Sequence, residues 1–333
     1  MNCNRPPSDR GRERGAALIT VVMMVAIMST LAIGVMETAR FGLQRTSNSE
    51  QMDAAHWYLL GAEAYAASLI DRIAGQGDMA AAAMAQSLDH PISLPVDGGM
   101  MQITVTDGAN CFNLNSVVRQ GDGGYLIANP DGVTRFALLL EISGVQNSQA
   151  LAAALADWID TDNMPLPGGA EANAYADDRP PPNRLISDRS ELINVSGFDA
   201  EVLGWIAPFV CVRPTAAPNA LNLETIRADQ AKLLAAIMGR ALTLADAEQL
   251  IAQRPAGGWG SMDAVMSDPR LMRLQMSEET RALLSRTSDW YVVATRVQVQ
   301  DVAETGLTLV STVGGHGRVV RRVLGAGSRE RQL

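Results

Sequence analysis

One stretch near the start of this 333-residue chain limits what it can become more than any other. Residues 16–36 are 21 consecutive positions without a charge, and Glu37 follows them. As a helix rising ~1.5 Å per residue, such a run covers roughly 30 Å, enough to cross a bilayer. Ahead of it lie Arg5, Arg10, Arg12 and Arg14, against Asp9 and Glu13. That positive excess holds the N-terminus on the cytoplasmic side. Three uses of the run fit the residues. A secretory signal peptide has a shorter apolar region with a small-residue cleavage site after it; Ala32 and Gly34 are small, but no clean site stands out. A plain signal anchor fits the composition. In the third use the chain is cut after Gly15, ahead of the apolar run. The charged leader is then lost, and the hydrophobic helix stays on a mature protein that begins at Ala16.

The run does not stop at a turn. From Glu37 to about Ile73 there is no proline, and Trp57, Leu60, Ala64 and Ala67 recur at helical spacing. Arg40, Gln44, Arg45 and Ser49 form the polar side. The expectation is one helix of some 55 residues (about 80 Å), apolar all round in its first half and amphipathic in its second. An ordinary anchor has no need to run on into a packed domain helix.

Charge and cysteine narrow the partners. The chain has 27 basic and 36 acidic residues, and loss of residues 1–15 leaves 23 against 34. An acidic body repels nucleic acid and anionic lipid, because phosphate binding needs basic side chains. It suits cations. Cys3 lies in the leader, which leaves Cys111 and Cys211. Two thiols delivered to an oxidising compartment are expected to pair; the alternative is two separately buried thiols.

Farther along, residues 75–99 read as a loose connection containing Gly75, Gly77, Pro91, Pro95 and Gly98-Gly99. Met101, Ile103 and Val105 alternate with Gln102, Thr104 and Thr106, which predicts a half-buried strand. From 134 to about 286 the pattern is mainly helical. Residues 290–300, 306–313 and 318–324 then give three β-like runs. One strand before the helical block and three after it predict an α+β fold: a sheet domain with a helical domain inserted, the two ends of the insertion close together.

The densest polar cluster is Asp157-Trp158-Ile159-Asp160-Thr161-Asp162, followed after a Pro/Gly turn by Glu171 and Asn173. Several carboxylates around a flexible glycine loop suit Ca²⁺, which takes six to eight oxygens without strict geometry. The spacing is not that of an EF-hand, and the alternative is a solvated turn with helix-capping carboxylates. The segments 219–225 and 244–254 resemble a DNA-binding helical hairpin, but Lys232, Arg240 and Arg254 make no dense basic patch, so a structural module is the better reading. Catalysis finds little support. His56, His90 and His316 are scattered, and no metalloprotease, nucleophile-elbow or phosphate-loop motif occurs.

The basic leader ending in Gly15, the hydrophobic helix, His56-Trp57-Tyr58-Leu59-Leu60-Gly61-Ala62-Glu63-Ala64, Cys111-Phe112-Asn113-Leu114-Asn115, Asp157 to Asp162 with Gly169-Ala170-Glu171, Ser190-Glu191-Leu192, Asn219 to Thr225 and the closing strands follow one another in that order. In these motifs the chain as a whole resembles the minor pseudopilin K (GspK) family of type II secretion systems. The resemblance implies a pilin-like fold: a long N-terminal helix and antiparallel sheet carrying a large all-helical insertion. In residues this gives a leader at 1–15, a membrane half-helix at 16–36, the first part of the pilin-like domain at 37–116, the insertion at 117–288, closing strands at 289–325 and a tail at 326–333. It further implies calcium in the insertion, with Asp160, Asp162, Glu171 and Asn173 as candidate ligands. Prepilin peptidase would cut after Gly15 and Ala16 would become the methylated N-terminus. Minor pseudopilins I and J, other pseudopilins and the inner membrane are the implied partners, with the globular part in the periplasm and no nucleic acid. Most pilins begin with Phe and carry Glu at the fifth mature position; here those positions hold Ala16 and Thr20. A carboxylate in a bilayer is costly unless paired, so an uncharged fifth residue suits a tip subunit that has no predecessor. The implied function is to initiate a short secretion pseudopilus and limit its length. A type IV minor pilin and a membrane-tethered DNA-binding protein are the alternatives.

Overall fold

A computed structural model describes residues 10–74, 88–175 and 180–325. Cys3 and the start of the leader, residues 75–87 of the expected connection, and the tail from 326 lie outside the described residues. Helix α1 spans Arg10–Ala74 without a break. At 1.5 Å per residue its 65 residues extend about 100 Å. From residue 16 to residue 50 it is exposed on every side. From Ala55 onward it buries Ala55, Leu59, Ala62, Ala66 and Ile70, which recur every three or four residues and so line one face. The stripe expected at Trp57, Leu60, Ala64 and Ala67 is therefore displaced: Trp57 is 71% exposed. Mostly alanine on the inner face lets the helix lie close to the sheet, where an indole would hold it away.

The sheet has five strands: β1 (Ile92–Val96), β2 (Gly99–Asp107), and, after the insertion, β9 (Trp290–Val299), β10 (Val302–Ser311) and β11 (Arg318–Leu324). Their order is β1-β2-β9-β10-β11, antiparallel throughout. Two strands precede the insertion, where the sequence pattern predicts one. The loose reading of 75–99 missed β1 because Pro95 weakens a strand pattern; as an edge strand β1 tolerates it. Asp97-Gly98 makes the hairpin turn, with Gly98 at φ +73°, a left-handed position that glycine takes without strain.

Met101, Ile103, Val105, Tyr291, Val293, Val297 and Val310 pack beneath α1. Within this interface Glu63 of α1 accepts hydrogen bonds from Thr308 Oγ1 (2.8 Å) and Arg322 Nε (2.6 Å). The Arg322 bond holds its carboxyl below the usual range in spite of burial. One helical side chain thus ties α1 to β10 and β11.

The insertion leaves and re-enters at one point. Asp107 pairs with Tyr291 at the end of β2, and Gly108 N donates to Trp290 O at 2.8 Å. This end of the sheet lies beside the C-terminal end of α1, since Gly317, in the turn before β11, donates its N–H to Asp71 at 3.0 Å. The opposite end lies beside Gln51, whose amide donates to Gln300 at 2.7 Å. The insertion therefore joins the sheet at the end away from the apolar half of α1. A buried polar knot holds the junction. Asp107 accepts from Asn222 Nδ2 (2.9 Å), from Ala109 N (2.7 Å) and from the hydroxyls of Thr225 and Ser288, and burial pushes its carboxyl up. The Arg213 guanidinium lies 5.1 Å from the Trp290 ring centroid, and burial lowers its pKa to about 10.

Inside the insertion a continuous core runs from Phe112 to Leu284, so residues 112–116, expected in the pilin-like domain, pack with the insertion through β-pairing to Val210 and Cys211. It contains β3 (Phe112–Asn113), β4 (Val118–Gln120), β5 (Leu126–Ala128), α2 (Pro130–Ile142), α3 (Ser148–Ile159), α4 (Ala200–Ile206), β6 (Val210–Cys211), β7 (Leu221–Asn222), α5 (Ala231–Ile237), α6 (Leu244–Ala252), further short helices and β8 (Leu284–Ser285). The strands form three two-stranded pairs, β3–β6, β4–β5 and β7–β8. Phe136 stacks between Phe112 and Phe198, with centroids 5.2 and 6.4 Å away. Cys111 and Cys211 are bonded, Cα atoms 5.7 Å apart. The motif asparagines are clamps. Asn113 Nδ2 donates to Thr215 O and Ala217 O, and Asn115 Nδ2 to Ile186 O and Arg213 O, at 2.8–2.9 Å.

Candidate functional site

Helix α3 is apolar and buried, and its sequence turns acidic at its C-terminal end. Asp157 occupies the last turn, Asp160 caps the helix and Asp162 lies two residues beyond. Anions there face the negative pole of the helix dipole, an unfavourable placement unless something offsets it. The chain then runs through Pro165, Leu166, Pro167 and Gly168 and returns with Glu171. Asp160, Asp162 and Glu171 each offer a carboxylate oxygen within 4.8 Å of the others.

Two of the three are deeply buried: Asp160 is 2% exposed and Glu171 4%. Asp160 Oδ1 and both Glu171 oxygens are buried without a hydrogen-bond partner. Buried polar atoms almost always have partners, and a buried anion costs far more than a neutral group. Burial, then the charges of Asp162, Asp157 and Glu171, push the Asp160 carboxyl up to about 7. Glu171 is raised too, by burial first and then by Asp157 and Asp162. Asp162 is more open, and it accepts from Met164 N at 2.8 Å. An all-oxygen donor set with orphaned inward atoms fits a hard cation. Asn173 is exposed in the single turn that follows Glu171.

The remaining predicted residues lie elsewhere. Gly15 and Ala16 fall in the first turns of α1, and Ala16 is exposed. Thr20 is exposed, and its hydroxyl donates to Ala17 O at 2.9 Å. From Ala16 onward α1 is the single candidate membrane span among the described residues, with a mean hydropathy of 2.5 over an 18-residue window that buries nothing. In the hairpin-like region Arg254 donates to Leu223 O and Ile226 O, at 3.1 and 2.9 Å, and Arg240 pairs with Glu141 at 2.9 Å. Sequence reasoning placed Asp157 in the cluster without giving it a role. It is fully buried and accepts from Leu166 N at 3.1 Å. The signal in the sequence was Gly169: a Cβ there would lie 2.0 Å from Asp157 Oδ2.

Two family models, both described as type II secretion system (T2SS), protein K, match residues 110–215 and 221–285. Type II secretion system protein K of Pectobacterium carotovorum subsp. carotovorum is 33% identical over 325 residues, 95% of this chain and 98% of that protein. The Klebsiella pneumoniae protein of the same name is 33% identical, covering 94% of this chain and 97% of its own length. A solved structure, that of the GspK-GspI-GspJ complex from the enterotoxigenic Escherichia coli type 2 secretion system, superposes with a TM-score of 0.65 at 25% identity. The superposition covers 85% of this chain and 100% of that one. It bears out the long helix on an antiparallel sheet with a helical insertion. The chain belongs to the type II secretion system protein K family of minor pseudopilins, a family of structural secretion components.

Proposed function

We propose that this chain is the tip subunit of the secretion pseudopilus, and that it initiates assembly and limits length. One observation carries the reading: the insertion joins the sheet at the end away from the apolar half of α1. Bulk there obstructs a further subunit above it and leaves the membrane helix free to pack below. Small residues such as Ala26, Ser29 and Gly34 on that helix permit close approach of neighbouring helices. Pseudopilins I and J are the neighbours, by analogy with the solved complex of that family member. Thr20 supports the same placement. Its hydroxyl is satisfied within its own helix, so it makes no demand on a preceding subunit's terminal amine.

The helix sits in the inner membrane with the globular part in the periplasm, after prepilin peptidase has removed residues 1–15. Intact mass and N-terminal sequence of the membrane-purified protein test this. Peptidase-dependent processing to a methylated Ala16 is expected. A Met1 start with and without peptidase overturns the reading.

In the insertion, Asp160, Asp162 and Glu171 hold calcium, whose charge offsets the buried carboxylates and fixes the loop after α3 to the helix end. The Asp160→Ala/Glu171→Ala protein should then melt below wild type in calcium and no lower in chelator. At a calcium concentration of 100 Kd the stabilisation is about 2.7 kcal/mol. For a unit of this size that is roughly 5–10 °C in melting temperature. Equal melting points for wild type in calcium and in chelator would remove the cation from this site.

A further inference from the structure

The cluster at the end of α3 contains a fourth carboxylate whose surroundings differ from those of the other three. Asp157 is fully buried. Both its oxygens lie within reach of Leu166 N, at 3.1 and 3.2 Å, and the Ala170 N–H on the same loop favours its charged form. Asp160 and Glu171 bring carboxylate oxygens within 4.8 Å of one another, and Asp160 Oδ1 and both Glu171 oxygens have no hydrogen-bond partner, whereas Asp157 is directed at the backbone of the loop from Leu166 to Ala170. That loop delivers Glu171. It has no regular secondary structure of its own; its internal tie is the bond from Gly169 N to Leu166 O at 2.8 Å. Two prolines, Pro165 and Pro167, remove donors from it, and Gly169 must lack a side chain for the Asp157 carboxylate to lie where it does.

Asp157 lies in the last turn of α3 and Asp160 is its C-cap, tied to the helix by its N–H to Ala156 O at 2.8 Å. The helix thus fixes the distance between the residue that grips the loop and the residue that faces Glu171. An asparagine at 157 would retain one acceptor and turn an amide N–H group toward the loop donors. A carboxylate meets donors with both oxygens. That requirement accounts for a fourth anion kept where like charges already crowd.

We infer that Asp157 is a positioning residue for the cation site: it clamps the Leu166–Ala170 backbone and thereby sets Glu171 against Asp160 and Asp162. The inference rests on the cation reading of those three carboxylates. In metal centres such outer residues typically change affinity by about 10–100-fold when removed.

The test is calcium titration of the full chain in detergent, by calorimetry and by terbium luminescence sensitised through Trp158. Asp157→Ala should raise Kd about 10–100-fold. Gly169→Ala, which deletes no carboxylate, should raise it too, by driving the loop off Asp157; it also serves if Asp157→Ala does not fold. In a Glu171→Gln background, Asp157→Ala should change the residual Kd by less than about 2-fold, because a residue acting through a partner has no effect once the partner is gone. A full effect in that background makes Asp157 a direct ligand and overturns the inference. So does wild-type affinity in both Asp157→Ala and Gly169→Ala. Wild type that binds neither ion removes the cation site itself, and the inference with it.

Discussion

Replacing Cys111 and Cys211 together by serine should lower the stability of the insertion by roughly 4–5 kcal/mol, the chain-entropy value for a loop of this length. The two cysteines are 100 residues apart in sequence, and the segment between them contains α2, α3, the carboxylate cluster and α4. Without the bridge, the unfolded chain regains the freedom of that whole segment. The native contacts around the bridge act on the folded state and do not restrict the unfolded one: β3 and β6 pair over two residues, Asn113 and Asn115 donate to Thr215 O, Ala217 O and Arg213 O, and Asn219 Nδ2 donates to Cys111 O at 3.1 Å. Denaturant titration of oxidised wild type, reduced wild type and the double serine variant measures the effect. The last two should unfold together, well below the first. Coincident midpoints for all three would mean that packing alone holds β3 to β6. Such a bridge forms and persists in an oxidising compartment, in line with the proposed periplasmic placement of the globular part.

Much of this was legible because the long helix and the sheet rest on local pattern. Uncharged length specifies the first half of α1, and two-residue alternation specifies β2 and β9. The inner stripe of α1 was not legible. Hydrophobicity favours Trp57, but proximity to the sheet selects Ala55, Ala62 and Ala66, and tertiary packing decides between them. Strand β1 was hidden by Pro95, whose cost vanishes at a sheet edge. At the site, the acidic residues were visible as a cluster, and oxygen-only donors pointed to a hard cation. What could not be read was which oxygens lack partners and which are taken by the loop backbone. That division separates Asp157 from Asp160 and Glu171, and it depends on a turn through two prolines and two glycines that no periodicity describes. The asparagines of the 111–115 and 219–225 segments were recognisable as a family signature. Their work, satisfying backbone groups inside the insertion and, through Asn222, holding Asp107 where the insertion meets the sheet, is visible only in three dimensions.

The exit of the insertion is held by a buried ion pair, and breaking it from one side should cost about 3–5 kcal/mol. Glu224 follows β7 and Arg286 follows β8, and these strands run parallel with Leu221 opposite Leu284. Arg286 Nε donates to Glu224 Oε1 at 2.7 Å, with the side chains 4% and 1% exposed. Glu224 also accepts from Trp259 N at 3.0 Å, so one carboxylate ties β7, β8 and the loop at Trp259 together. Arg286→Met keeps the bulk and leaves Glu224 as a buried anion with its charge partner removed. Glu224→Gln/Arg286→Met removes both charges and keeps an acceptor for Trp259, and should recover most of the loss, since a buried pair replaced by neutral groups of similar volume is often close to neutral. Denaturant titration gives both values. A single-variant loss under about 1 kcal/mol would be that of a solvated surface pair and would remove the clamp from the argument. Arg286 lies four residues before Trp290, where β9 begins, so loss of the clamp frees the segment that aligns the insertion with the sheet. Arg286→Met should therefore sensitise residues 284–290 to proteolysis in the assembled membrane protein, with the double variant protected. If bulk fixed at the far end of the sheet limits pseudopilus length, the single variant alone should relax that limit.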